Sequence, residues 1–509
     1  MTNSHYSWQR YWIPRGKSIN VTKGGYLSDE RRYFNPEIRT LSELANQPCL
    51  VLLGEPGLGK SRTINDEYQS FAAHFEGVGE RYHFFNLNTY RSEELLVKRL
   101  FESKEFSEWV SGTYRLHLFL DGLDECLLRI DTIAALLVEE FRKYPKDRLL
   151  LRIACRSADW PSSLENGLNE LWGKDTVAIY ELCPLREEDV SLAAQIEEVK
   201  AEEFLAEVTR KQVVPFAAKP VTLDFLIGSF RRDGQLPNTQ AELYERGCRV
   251  LAEESNQNYR DTRVPRHLTA DQRMLVAGRI AAVTVLSNKA AIWQAVERGE
   301  VGAEDVTVRE LCGYTESLTG QSFDVTEAVI RETLGTGLFS LRDENRLGWA
   351  HQTDAEFLAA WYLNHRQLAP AEAMCLLTVE QDFSGRVAPQ LHETAARLAG
   401  LMPEVFQQVM KNDPDVLLRS DVAAVSPDFR EALVAALLEV FRAEQASDDW
   451  FNRDSYRKLA HPKLAEQLRP IISGKNENFL VRRVAIDIAE DCKVRYETRC
   501  KKDMISAEK

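Results

Sequence analysis

The sequence predicts an α/β domain built on a parallel sheet, followed by a largely helical remainder. Three observations carry that expectation. Between residues 49 and 184, short apolar runs alternate with longer helix-compatible stretches, the pattern of repeated βα units. One strand-to-helix junction reads Gly54-Glu55-Pro56-Gly57-Leu58-Gly59-Lys60-Ser61, a fit to the phosphate-loop pattern G-x-x-x-x-G-K-[ST]. Beyond residue 366 the apolar residues recur at i, i+3, i+4 spacing instead, as amphipathic helices require.

Composition sets the outer limits. A chain of 509 residues is long enough for several domains. At 44% hydrophobic and 28% charged it has an ordinary soluble globular composition. The formal charge is −14, so nucleic-acid binding, which rests on clustered cations, is not indicated. The nine cysteines show no paired spacing and no Cys-x-x-Cys. Cys49, Cys155 and Cys183 sit in apolar runs, where a free cysteine packs as a small hydrophobe. That points to a reducing compartment and a cytoplasmic protein. Met1 to Arg15 lacks the apolar stretch of a signal peptide, and no run is long enough to span a bilayer.

Taken in order, residues 1–48 form a lead-in too small for an enzymatic domain of its own. It crowds together Tyr6, Trp8, Tyr11 and Trp12, turns at Gly24-Gly25, and predicts a short helix over Phe34–Leu44. Two roles are open to it: covering a nucleotide base or capping the sheet. Cys49–Leu53 reads as a buried parallel strand. Arg62–Phe75, free of Gly and Pro, reads as the helix behind the loop. Strand, glycine loop and helix together bring backbone N–H groups and a helix N-terminus to phosphate oxygens. Gly57 and Gly59 permit backbone angles that a Cβ forbids. Lys60 can reach the β- and γ-phosphates, and the Ser61 hydroxyl can ligate Mg²⁺. Gly54 to Ser61, with Arg62, is the expected nucleotide-binding set.

Further strands are expected at Tyr82–Leu87, Leu116–Leu120, Leu149–Cys155 and Val177–Leu182. Open α/β sheets bind ligands beyond the carboxyl ends of their strands, which puts Asp121 and Arg156 on the edge that carries the phosphate loop. Asp121, ending an apolar strand, fits the carboxylate that holds Mg²⁺. Asp124 and Glu125 lie one short turn further, placed to orient or deprotonate an attacking water. An acidic helix cap is the alternative for that pair.

Asp121-Gly122-Leu123-Asp124-Glu125 resembles the extended Mg²⁺ motif of NACHT-type proteins, which belong to the STAND class of signal-transducing P-loop ATPases within the larger group of ring-forming ATPases. Later stretches share the likeness. Arg156, in Ala154-Cys155-Arg156-Ser157, resembles the family's sensor arginine, which reads the γ-phosphate; an arginine paired with a local carboxylate is the alternative. Ala218-Lys219-Pro220-Val221-Thr222-Leu223 resembles the helical-domain segment whose proline packs on adenine, here Pro220. Gln240–Arg246 is similar to the family's next helix. Leu347 to Ala360 resembles the end of the family's winged-helix domain, where a histidine contacts the β-phosphate of ADP; His351 occupies that position. Asp354-Ala355 departs from the pattern, standing where an aromatic is common. Ahead of it, Arg331–Leu341 with Asp343-Glu344-Asn345 reads as helix, strand and turn. Pro370–Leu377, Gln390–Leu401 and Phe429–Phe441 read as helices, and His461–Ile472 with Asn478–Asp491 resembles one HEAT-type hairpin.

The resemblance implies five parts: the lead-in to residue 48, a NACHT-like P-loop NTPase domain over 49–185, a helical domain over 186–265, a winged-helix domain over 266–365, and a HEAT-like helical region over 366–509. It implies ATP or ADP with Mg²⁺ as ligands, rest with ADP, slow hydrolysis and self-association on a trigger. A protein trigger would be sensed by the C-terminal helices, and output would come from a separate effector protein or from sequence outside this chain. In bacteria such proteins resemble antiviral sensors; a transcriptional regulator is also open. Two readings from other classes compete: a continuously cycling ATPase that remodels protein or nucleic acid, and a nucleotide-bound scaffold without useful turnover. The single clear hairpin, followed by a polar tail over Cys500–Lys509, implies either a short arm or a piece of a longer protein.

Overall fold

The computed structural model describes residues 8–22, 25–30, 33–75, 79–87, 90, 92–124, 126, 130–253, 268–294, 301–343, 345–379, 385–420, 425–443 and 453–494. Expectations resting on Tyr6, Gly24, Glu125, Glu344 and the tail from Cys500 lie outside them. Two compact units are present. One gathers Met1–Pro237, Leu243–Ala277 and Lys289–Asp354; the other gathers Asn238–Glu242, Gly278–Asn288 and Ala355–Lys509. Among the described residues no helix is long and apolar enough to cross a membrane.

The first unit begins with β1 (Trp12–Pro14) and then alternates: β2 (Cys49–Gly54), α1 (Lys60–Phe75), β3 (Glu80–Asn86), α2 (Glu93–Leu100), α3 (Lys104–Ser111), β4 (Arg115–Asp121), α4 (Ile130–Arg142), β5 (Leu149–Arg156), α5 (Ser162–Trp172) and β6 (Val177–Leu182). The sheet order is β1-β6-β2-β5-β4-β3. β6, β2, β5, β4 and β3 are mutually parallel, while β1 runs antiparallel to β6, so the sheet is mixed rather than purely parallel.

Both faces of the sheet are covered, and this explains the unbroken apolar runs. Cys49, Val51 and Leu53 of β2 face one core with Leu118, Ile153, Leu137 and Phe141. Leu50 and Leu52 face the other with Trp12, Leu41, Leu58, Ile64 and Phe119. The lead-in is therefore part of the domain. Trp12 is fully buried, pairs with Leu182, and exchanges both backbone hydrogen bonds with Arg39 at 2.8 Å. The helix expected over Phe34–Leu44 shrinks to a 3₁₀ turn at Ser42–Leu44. Pro36 biases Asn35 away from helical angles. The Asn35 amide also donates to the Ser28 and Asn20 carbonyls at 2.6 and 2.8 Å, which fixes the segment as a loop.

Helices α6 (Glu187–Ile196), α7 (Ala201–Arg210), α8 (Val214–Ala217), α9 (Pro220–Asp233) and α10 (Gln240–Ala252) follow. Proline at the first position of α9 costs nothing there, since that N–H has no helical partner. Next come β7 (Ala291–Trp293), β8 (Asp305–Thr307), the hairpin β9 (Thr315–Leu318) and β10 (Gln321–Asp324), a helix over Glu327–Leu334, β11 (Phe339–Asp343) and β12 (Arg346–Trp349). β11, β12, β7 and β8 form a second, four-stranded sheet in that order.

The second unit is helical, with helices over Pro370–Leu377, His392–Leu401, Pro403–Asn412, Pro427–Arg442, Leu464–Ser473 and Phe479–Asp491. The last two bury Leu464, Leu468, Val481, Val484, Ala485 and Ile488.

Replacing Trp12 by Ala deletes a fully buried indole beneath β2. We expect a loss of about 3–5 kcal/mol in chemical denaturation of the whole first unit; a change below 1 kcal/mol would show the lead-in to be only loosely attached.

Candidate functional site: the phosphate loop and the segments that close on it

The site begins where β2 ends. Gly57 and Gly59 both hold positive φ, +82° and +83°. A Cβ on Gly57 would also collide with the Val221 side chain, so this position needs glycine twice over. Leu58 anchors the loop in the core, and Lys60 opens α1 with only 9% exposure.

Three of the loop's neighbours come from elsewhere in the chain. The Arg10 guanidinium donates to the Leu58 carbonyl at 2.8 Å and to the Cys183 carbonyl at 2.7 Å, binding lead-in, loop and sheet end together. The Val221 N–H donates to the Gly57 carbonyl at 3.3 Å. Gly337 lies so close that a Cβ there would stand 3.1 Å from the Pro56 carbonyl oxygen. The Gly57 and Leu58 carbonyls are thus engaged by segments outside the loop.

Strand order then places the carboxylates. β5 lies between β2 and β4, with Arg156 in register beside Gly54. Asp121 closes β4 on the same edge, 5% exposed. The Ser61 hydroxyl hydrogen-bonds the Asp121 carboxyl. Burial pushes that carboxyl above its ordinary range, opposed by the Lys60 charge and the Ser61 bond. Its Oδ1 is buried with no hydrogen-bond partner, an open acceptor beside a hydroxyl. That donor set suits a hard divalent cation that completes its shell with water and phosphate oxygens. Among the described residues no cluster of three or more His, Cys, Asp or Glu could hold a metal ion on its own.

Asp124 has another occupation. Its Oδ2 lies 2.9 Å from Arg156 Nε, and its Oδ1 accepts the Arg156 N–H at 3.0 Å. Both side chains are almost fully buried, and the guanidinium also donates to the Gly335 carbonyl at 3.3 Å. Burial pushes the Asp124 carboxyl up, but Lys60, Arg156 and backbone N–H donors outweigh it and hold the group below its ordinary value. An ionised carboxylate paired with a guanidinium is a weaker proton acceptor than a free one. Glu125 lies outside the described residues.

His351 and Pro220, far apart in sequence, both reach this region. Pro220 lines a cleft of about 300 Å³ with Gly59, Arg62, Trp8, Arg10 and Asp224. The Trp8 indole is fixed by donating to the Asp189 carbonyl at 2.9 Å. The lead-in therefore caps the sheet edge through β1 and also lines the cleft beside the loop. His351 is mostly buried, and burial, then the nearby Lys219 charge, pull it down to about 4 from an ordinary 6.5. It is neutral at pH 7. Its Nδ1 accepts the Thr353 N–H at 3.4 Å and lies 2.8 Å from the Thr353 hydroxyl, which assigns the proton to Nε2.

Sequence reasoning missed Arg10, Lys219, Gly335 and Gly337. The signal available was a lone cation in an apolar or aromatic stretch (Arg10 between Trp8 and Tyr11, Lys219 after Ala218). Such a group must find a partner if the stretch is buried.

The charge state of His351 has a measurable consequence. Its folded value lies below its unfolded one, so between pH 6.5 and about 4 the unfolded chain takes up a proton that the folded chain refuses. Stability is lost as pH falls through that window, by about 3 kcal/mol for this group. His117, also held near 4 by burial and Arg152, adds to the same slope. In His351→Gln the loss between pH 6.5 and 4 should shrink by about 2–3 kcal/mol in denaturant titrations; an unchanged slope would place the imidazole in water.

No protein-family model matches the chain, and no curated protein matches it. Solved structures with similarity include a RuvB variant from Thermotoga maritima (TM-score 0.26, 15% identity, 46% of this chain and 68% of that one). Cdc6p from Pyrobaculum aerophilum gives a TM-score of 0.26 at 12% identity, over 56% of this chain and 87% of that one. A closed state of Hsp104 with ATPγS and FITC casein gives 0.27 at 13%, over 79% and 81%. Residues 49–182 have the loop geometry and strand order of a phosphate-loop α/β fold.

Proposed function

We propose that this chain is a nucleotide-operated switch: it binds ATP or ADP with Mg²⁺, hydrolyses ATP slowly, and rests with ADP. The observation that carries this reading is convergence. Arg10, Asp121, Arg156, Lys219, Val221, Gly335, Gly337 and His351 come from segments spread over about 340 residues, and all are gathered at the phosphate loop or at groups bound to it. A ligand held by several segments can change how they pack, provided it binds two arrangements with different affinity. A plain nucleotide-binding scaffold has no need of such a gathering.

In this reading Lys60 and the loop N–H groups take the β- and γ-phosphates, and Ser61 with Asp121 hold Mg²⁺. The bound ion would neutralise charge across the two phosphates. Glu125 serves as the base for the attacking water, with Asp124 fixing Arg156. Arg156 reads the γ-phosphate, exchanging its Gly335 contact for it. Pro220 and Trp8 flank the adenine. His351 gives its Nε2–H to the β-phosphate as a neutral donor. The resemblance to NACHT-type STAND proteins supports the same assignment: residues 266–365 as a winged-helix domain, the helices beyond 366 as the arm that senses a protein trigger, self-association on activation, and a separate effector in a cytoplasmic, antiviral setting. Fast turnover would favour a continuously cycling ATPase instead. Purifying the chain and identifying its nucleotide by mass spectrometry tests the resting state, with ADP expected.

Lys60→Ala should lower ATP and ADP affinity about a hundredfold or more in calorimetry, since it removes a buried charge opposite the phosphates. Wild-type affinity in that variant would overturn the phosphate-loop assignment. His351→Ala should speed ADP dissociation roughly tenfold, the scale of one hydrogen bond to a charged group. A lowered melting temperature with unchanged ADP release would reduce His351 to a packing role.

A further inference from the structure

Lys219 and Glu55 form a buried ion pair inside the phosphate loop's own surroundings. Lys219 is 7% exposed; its ammonium lies 3.3 Å from Glu55 Oε2 and donates to the Gly337 carbonyl at 3.1 Å. Glu55 belongs to the loop, between Gly54 and Pro56. Glu181, on β6, faces Glu55, and burial together with that like charge pushes its carboxyl up to about 7. A carboxylate in a phosphate-binding loop is a liability, because it repels the ligand's own negative charge. At a site this buried, salt screens that repulsion little.

We propose that the Lys219–Glu55 pair sets the nucleotide affinity of the loop, Glu55 weakening phosphate binding and Lys219 cancelling that effect. The proposal rests on the reading of the loop as a nucleotide site. The two side chains act in opposite directions on the ligand although they stabilise each other. Lys219 is a positioning residue as well: through Gly337 it ties the loop to the segment before β11, so the charge balance at the loop and the attachment of that segment share one ammonium. A loop that must release as well as retain a nucleotide needs such a counterweight, and Lys60 alone cannot provide one.

The test uses the full chain and calorimetric titration with ADP and with ATP plus Mg²⁺. Glu55→Gln should tighten both nucleotides, Lys219→Met should weaken both, each by roughly tenfold, and the double variant should return close to wild type. A purely structural pair predicts otherwise: both single variants would lose stability and shift affinity in the same direction or not at all, and that result overturns the proposal. Should Lys219→Met fail to fold, Glu55→Gln decides alone, and absence of tightening counts against the pair. Failure of the underlying reading looks different. If wild type binds neither nucleotide, or Lys60→Ala binds as well as wild type, the loop is no nucleotide site and the proposal falls with it.

Discussion

A charge removed from water must find an opposite charge or hydrogen-bonding partners within a few ångströms, and two buried ion pairs of the first unit meet that constraint. Arg156 at the end of β5 lies against Asp124, and Lys219 at the start of α9 lies against Glu55. Each cation also donates to a backbone carbonyl of the 335–337 segment. The segment before β11 is therefore attached to the edge of the main sheet through two buried cations rather than through apolar packing alone. Such attachments are specific in geometry and sensitive to added charge, and nucleotide phosphates would bring charge to this place.

The sheet prepares that edge. With β5 between β2 and β4, Arg156 stands between the loop and the strand that carries Asp121. The turn at Gly122, with φ of +74°, lets Leu123 donate back to the Ala154 carbonyl at 3.3 Å, and Asp124 can then accept the Arg156 N–H. Asp121 is left with one oxygen on Ser61 and another without a hydrogen-bond partner. Two acidic residues three positions apart thus have different surroundings: one is ion-paired with a guanidinium, the other lies beside Lys60 and the Ser61 hydroxyl.

His351 shows how the same electrostatics set a side chain's form. A protonated imidazole would be the stronger phosphate donor, yet burial and the Lys219 charge keep it neutral. A neutral imidazole keeps a single N–H as donor and brings no charge of its own. Fixing the Nε2–H tautomer through Thr353 removes the remaining ambiguity of the ring.

By itself the sequence determined the elements whose signals are local. The glycine loop, the four strands after it, Asp121 and Arg156 at strand ends, and the helix opening at Pro220 follow from short-range sterics and, for β4 and β5, from burial on both faces. Only the tertiary structure decided what closes on the loop. The antiparallel β1 depends on pairing between Trp12 and Leu182, 170 positions apart, and nothing local marks Trp12–Pro14 as a strand. The helix expected over Phe34–Leu44 is lost because Asn35 finds carbonyl partners in Asn20 and Ser28. Which carboxylate Arg156 would meet was not legible locally: its partner Asp124 comes from the turn after the neighbouring strand. Lys219 carried no message beside its proline, because a buried cation's meaning lies in its partners, and Glu55 and Gly337 lie more than a hundred residues away on either side.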